Sequence, residues 1–308
     1  MEHRHCLSRA RARIDAAIAP TSYGRLFPDL PPFTADESFL RALGRAGGLC
    51  DCGDANDDDA SLGTEAAGWP FFGQFVAHDI TADRSTPQPH VDPSRLRNAR
   101  SPQLNLECLY GDGPVGHPFL FQRSDAAKLL TSPAGVDRVR ARGTPESEVF
   151  GEAARELRWD YQTAVLREFL PSLVGADRVE DLLREGRRFY RPAADAFIPL
   201  EFADAAYRYG HSQIRHTYTV NSGAAPTAIF PDLIGFRPVP ADRHVDWTLF
   251  FDATGHPPAQ RAKKIDGRLV GALIALPVAL TGECEVEAFH SLAVRDLERG
   301  QGVGLPSG

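Results

Sequence analysis

Apolar residues recur at helical spacing along most of the chain, and this pattern predicts its principal elements. Over Glu146–Leu173 an apolar side chain returns every three or four residues, and Pro171 and Gly175 close the segment. Strand patterns are short, near Thr217–Asn221 and Asp246–Phe251. Shorter segments with the helical pattern are 35–47, 66–82, 177–187, 199–215 and 291–300. The pattern therefore predicts a mainly α fold with few short strands.

The composition is that of a folded, acidic protein. Among its 308 residues are 34 Lys+Arg and 41 Asp+Glu, a formal net charge of −7, and 43% are hydrophobic. These values exclude wholesale disorder, and the lack of a basic block argues against a nucleic-acid-binding protein. The longest apolar run, Leu269–Leu280, contains Pro277 and is too short for a membrane span, so we expect it to be buried.

The N-terminal residues and the cysteines indicate the cellular compartment in which we expect the protein. The first residues are basic but lack the apolar stretch and cleavage site of a secretory signal, and the 5 cysteines are scattered. We therefore expect reduced thiols and a cytoplasmic protein. An acidic loop at 51–59 offers oxygen atoms, but its spacing fits no EF-hand, which favours a solvated loop over a calcium site.

Two of the predicted helices place a histidine one turn from a polar partner. Gln74 and His78 are four residues apart and share a face, whereas Asp79 points about 100° away from His78. Arg208 and His211 are three apart and also share a face. The glycine before His211 leaves room for a large planar ligand whose anionic group Arg208 could meet. Taken singly, the first pair favours a core histidine capped by a carboxylate, and the second fits an exposed polar stretch equally well.

A third stretch of sequence favours the functional interpretation of both pairs. Arg295–Gly300, followed by Gly304-Leu305-Pro306, comes after Gly73–Asp79 and Tyr207–Ser212 in the order found in the animal-type haem peroxidase family, including its bacterial members. The resemblance covers most of residues 20–308, with flanking similarity at 23–28, 109–114 and 159–162. It implies an N-terminal extension, 1–19, and one helical haem peroxidase-like domain, 20–308.

The resemblance implies haem b as cofactor and a role for each residue. His78 resembles the distal histidine, which moves a proton between the two oxygens of peroxide, and Gln74 resembles the distal glutamine. His211 resembles the proximal ligand of the haem iron, and Arg208 would lie near a haem propionate. Asp296 stands where the family usually has an asparagine that is hydrogen-bonded to the proximal imidazole.

The resemblance also implies a structural calcium ion. Asp79 is similar to the carboxylate that ties the distal helix to this ion, and Ser101, Asn105 and Glu107 stand at the spacing of the other ligands. Asparagine and glutamate replace the more usual aspartate and serine, but both supply the oxygen atoms that calcium prefers.

Some family features are missing. Ala77 replaces the aspartate that many animal members esterify to haem, so that link cannot form. The long helix that bears the catalytic arginine has no counterpart between Tyr110 and Trp159, where Arg142 is the nearest candidate. The chain ends just after Pro306, where relatives continue with further helices, so we expect a shortened member or a fragment.

These observations predict a peroxidase that reduces hydrogen peroxide and oxidises a small donor, with no nucleic-acid partner and no membrane span. One alternative is a degenerate member that binds haem or scaffolds other proteins without efficient catalysis. A fatty-acid dioxygenase is the third reading. It is disfavoured because that branch usually has a tyrosine where Arg208 stands.

Overall fold

The computed structural model describes residues 24–53, 61–80, 133–190, 198–233, 241–281 and 286–307, and helices dominate these segments. The α-helices are α1 (Glu37–Gly44), α2 (Gly68–Ile80), α3 (Pro133–Ala141), α4 (Glu146–Ala164), α5 (Leu170–Val174), α6 (Ala176–Glu185), α7 (Leu200–Asp204), α8 (Gly271–Ile274), α9 (Val278–Thr281) and α10 (Leu292–Gly302). The strands are β1 (Leu62–Ala66), β2 (Thr217–Tyr218), β3 (Thr227–Ala228) and β4 (Arg261–Lys263). The predicted mainly α class is confirmed. None of the described helices is long and apolar enough to cross a membrane.

The described residues form two compact units. The first unit contains 24–53, 61–80, 198–233, 241–281 and 286–307, and the second contains 133–190. The boundary expected near residue 20 lies outside the described residues.

The core of the first unit is aromatic and aliphatic. Tyr218 packs against both Phe71 and Phe250, with ring centroids 5.4 and 5.8 Å away. The apolar run 269–280 contributes its first half to this core, whereas Val278 and Leu280 are exposed. The buried members of the core are Ala67, Ile214, Tyr218, Ile229, Phe250, Leu269, Val270, Leu273, Ile274 and Ala293.

A short antiparallel sheet fixes the start of α2. Strand β1 pairs with β4, from Leu62 opposite Lys263 to Ala66 opposite Arg261, with an irregular register between them. The chain then enters α2 at Gly68, whose N–H donates to the carbonyl of Phe250 at 2.7 Å. A Cβ at Gly68 would lie 2.4 Å from the ring of Phe251, so only glycine allows this close approach.

Two sequence predictions differ from the structure in the first unit. The helix predicted over 199–215 is divided: α7 ends at Asp204, Ala205 has φ −129°, and a 3₁₀ helix follows over Ala206–Gln213. The strand predicted over 246–251 is wrong. A 3₁₀ turn, Trp247–Leu249, forms there because the Asp246 carboxylate accepts a hydrogen bond from the N–H of Thr248 at 3.0 Å.

The second unit contains the most strongly predicted helix. The path over 146–174 is helical throughout, but it consists of α4, a π-helical turn over Val165–Phe169, and α5. A π turn adds a residue to the helical repeat and so rotates the faces that follow it. Phe169 is buried at the end of this turn.

Candidate haem site

Helix α2 carries Gln74 and His78 on one face. The helix is described to Ile80, and Gln74 is exposed while Ala77 is buried. The side chains of His78 and Asp79 lie outside the described part of the chain, so their predicted roles stay predictions.

A tyrosine joins α2 to the segment that carries His211. The hydroxyl of Tyr207 donates a hydrogen bond to the carbonyl oxygen of Pro70 in the first turn of α2. Burial raises the pKa of Tyr207, which keeps the phenol protonated as a donor. The ring of Tyr209 lies 5.5 Å away between centroids, and burial, helped by the Glu65 carboxylate, raises its pKa to about 12. Both tyrosines therefore serve as neutral groups in the physiological range.

His211 and Asp296 form the central pair of the site. Nδ1 of His211 lies 2.6 Å from Oδ2 of Asp296, and Nη1 of Arg208 lies 3.6 Å from Oδ1 of the same carboxylate. Arg208 and His211 belong to the 3₁₀ helix, in which residues three apart eclipse one another, so both side chains meet α10 on one face. The side chains are partly exposed: 34% for Arg208, 25% for His211 and 19% for Asp296.

The geometry at His211 fits that of an imidazole ligand. A carboxylate that accepts from Nδ1–H fixes the tautomer and leaves the lone pair of Nε2 for a metal. The predicted role of His211 as ligand of the haem iron is compatible with this geometry and stays a prediction. The expected contact of Arg208 with a propionate stays a prediction, and its observed neighbour is Asp296.

Hydrogen bonds of Ser291 and Arg299 hold helix α10 in place, and they so fix the position of Asp296. Ser291 caps the helix, accepting from the N–H of Val294 and donating to the carbonyl of Gly44. Arg299 donates to the buried carboxylate of Asp204. Sequence reasoning did not single out Asp204 and Arg299 as partners. Arg299 lies in the stretch 295–300 that resembles a peroxidase motif, whereas Asp204 lies just before the stretch 207–212.

The remaining predicted site residues divide between the second unit and the undescribed part of the chain. Arg142 follows α3, and its guanidinium forms an ion pair with Glu156 of α4. Ser101, Asn105 and Glu107 lie outside the described residues. Within the described ranges there is no group of three or more His, Cys, Asp or Glu side chains that could hold a metal ion. The calcium site thus stays a prediction.

The comparison with known families agrees with the motifs. Residues 139–234 match the family model described as animal haem peroxidase, a segment that includes Arg208 and His211 but not Gln74, His78 or Asp296. No curated protein and no solved structure matches the chain. The predicted resemblance is confirmed over this segment, which spans less than half of the chain and is similar to the animal haem peroxidase family.

Proposed function

We propose that this chain is a haem-dependent peroxidase that reduces hydrogen peroxide and oxidises a small donor. The observation that carries the proposal is the 2.6 Å contact between His211 Nδ1 and Asp296 Oδ2. A carboxylate on Nδ1 would leave Nε2 of this imidazole for a metal, and His211 lies within the segment matched to the family. Bound haem would supply the redox chemistry, and the protein supplies ligand, proton transfer and surroundings.

Each residue of the candidate site has a separate role in the proposed reaction. His211 would hold the haem iron through Nε2, and Asp296 would keep the imidazole in the required tautomer. His78 takes the proton from one peroxide oxygen and returns it to the departing one, a role that contributes about 10²–10⁴-fold in general acid–base catalysis. Gln74, one helical turn away, orders peroxide or water through its amide. The bond from Tyr207 to Pro70 ties the helix of His78 to the segment of His211.

Histidine variants test the proposal. We expect the wild type to develop a Soret band with haemin and His211→Ala to lose it. His78→Ala should keep the band and lose peroxide turnover by about 10²–10⁴-fold. His256→Ala, which changes an exposed histidine of the first unit, is the control and should behave as wild type. Equal haem binding by the His211 and His78 variants would refute the assignment of the two segments.

The second candidate is a haem-binding or scaffold protein without efficient catalysis. The observation in its favour is the ion pair of Arg142 with Glu156, which occupies the nearest candidate for the catalytic arginine. Loss of one preorganised donor typically costs about 10²–10³ in rate. Peroxide consumption no faster than that of free haemin would favour this candidate. Rapid consumption that Arg142→Ala leaves unchanged would show that another residue replaces the arginine.

Calcium binding is part of the proposal and has its own test. Asp79, Ser101, Asn105 and Glu107 would supply oxygen ligands that stabilise the fold rather than take part in the redox steps. Metal analysis after gel filtration should find calcium, and chelation should lower the melting temperature. If neither effect is seen, the chain has lost the family's calcium site.

A further inference from the structure

The two oxygens of the Asp296 carboxylate face different partners. Oδ2 meets Nδ1 of His211 at 2.6 Å, and Oδ1 lies 3.6 Å from Nη1 of Arg208. The carboxylate thus stands between the proposed iron ligand and a permanently charged guanidinium. In the family resemblance, a neutral asparagine takes this place, so a bare aspartate would add a negative charge beside the ligand. Arg208 supplies the charge that offsets it.

The same two segments are cross-linked a second time with reversed polarity. Asp204, before the 3₁₀ helix, accepts from Arg299 of α10, whereas Asp296 of α10 meets Arg208 and His211 of the 3₁₀ helix. The side chain of Asp204 is 1% exposed and that of Arg299 is 39% exposed, so the carboxylate of this second link is shielded from water. This link restrains the position of α10 along the 3₁₀ helix, and it so keeps the Asp296 carboxylate beside His211 and Arg208.

We propose that Arg208 is a positioning residue that acts on His211 through Asp296. A carboxylate that accepts from Nδ1–H raises the basicity of the ligand. The positive charge of a guanidinium beside that carboxylate stabilises its negative charge. The carboxylate is then a weaker acceptor of the hydrogen bond from Nδ1–H. Together Arg208 and Asp296 form a neutral pair that limits the electron donation of His211. The inference rests on the proposed function, because it concerns the nitrogen that would hold the iron.

A single substitution of Arg208 cannot test this inference. Removing a cation near haem favours the oxidised iron whether Arg208 acts through Asp296 or lies against a propionate, so Arg208→Gln lowers the reduction potential in both cases. The two routes differ when Asp296 is already changed. If Arg208 acts through the carboxylate, its effect disappears in Asp296→Asn, and if it acts on the haem directly, its effect persists.

The test is a double-mutant cycle on the reduction potential of the haemin-loaded chain. We expect Asp296→Asn to raise the potential, Arg208→Gln to lower it, and the double variant to match Asp296→Asn. Arg295→Gln is the matched control, since its guanidinium is next to Asp296 in sequence but lies 5.3 Å over the Phe289 ring. It should leave the potential near that of the wild type. An equal drop on Arg208→Gln in both backgrounds would overturn the inference.

A haem-free measurement separates this inference from the proposed function. In the full chain labelled with ¹⁵N-histidine, the Nδ1 proton of His211 should resonate far downfield, as in a short hydrogen bond, and move further downfield in Arg208→Gln. No movement would overturn the coupling whether or not haem binds. If the coupling is present but the wild type takes up no haemin, the proposed function fails, and the role of Arg208 toward an iron ligand fails with it.

Discussion

The Asp252 carboxylate shows how single residues couple this fold to pH. Its two oxygens accept from Nη2 and Nη1 of Arg261 at 2.8 and 2.7 Å, and one of them also accepts from the N–H of Ala259 at 3.0 Å. The hydrogen bonds from Arg261 hold the pKa of Asp252 below its ordinary value, against a smaller opposing effect of desolvation. Arg261 belongs to β4, so this contact supports the strand that pairs with β1.

The lowered pKa of Asp252 gives a prediction for acid unfolding. The stabilisation is present above the unfolded pKa, about 4, and is lost as pH falls through the lower folded pKa. Because the side chain is 56% exposed, we expect only about 0.2–1 kcal/mol. Asp252→Asn should therefore lower the free energy of unfolding near neutrality and flatten its fall in acid.

Urea unfolding at a series of pH values measures this effect. Asp29→Asn, at an exposed aspartate of the first unit, is the control and should keep the wild-type profile. An acid profile of Asp252→Asn parallel to that of the wild type would contradict the prediction.

Helices α1 and α10 meet so closely that one glycine decides their contact. A Cβ at Gly44 would lie 2.7 Å from both the backbone N and the Cγ2 atom of Val294. Ser291 also donates to the carbonyl of Gly44, so the helices are held at this spacing. Because α10 carries Asp296, the spacing of the two helices at Gly44 affects the position of Asp296 in the candidate site.

A pair of glycine substitutions tests this helix contact. Gly44→Ala should lower the free energy of unfolding by roughly 1–3 kcal/mol, because backbone and side chain must both shift. Gly151→Ala is the matched control, since a Cβ there meets nothing within 4 Å on α4. It should raise stability by roughly 0.5–1 kcal/mol through a smaller loss of chain entropy. Urea unfolding measures both, and a stabilising Gly44→Ala would refute the close contact.

At the scale of the whole molecule, the described candidate haem residues belong to one unit. Helix α2, the 3₁₀ helix with His211, and α10 with Asp296 all lie in the first unit, while 133–190 form the second. Under the proposed function, haemin stabilises the unit that binds it by mass action, by about 2.7 kcal/mol at a hundredfold excess over Kd.

Hydrogen exchange with mass spectrometry measures where this stabilisation falls. Saturating haemin should slow amide exchange in peptides from 198–233 and 286–307 more than in peptides from 146–185. His211→Ala should abolish the difference. Uniform protection of all these peptides, or protection that persists in the variant, would count against a site centred on His211.

The sequence by itself determined the elements whose signals are local. Helical periodicity together with closing glycine and proline residues predicted the helical path over 146–173 and the helix over 291–300, because both signals act within a few residues of chain. The resemblance to the family singled out Arg208, His211 and Asp296, which the structure brings together. Their proposed roles, like those of Gln74 and His78, await experiment.

Only the tertiary structure decided the features that join distant segments. Strand β1 pairs with β4 across about 200 residues, and neither strand has a pattern long enough to be predicted alone. The helix predicted over 199–215 divides after Asp204, where Arg299 holds the carboxylate and Tyr207 reaches Pro70. The physical reason is that propensity contributes a few tenths of a kcal/mol per residue, whereas a buried contact with a distant partner contributes more and overrides it.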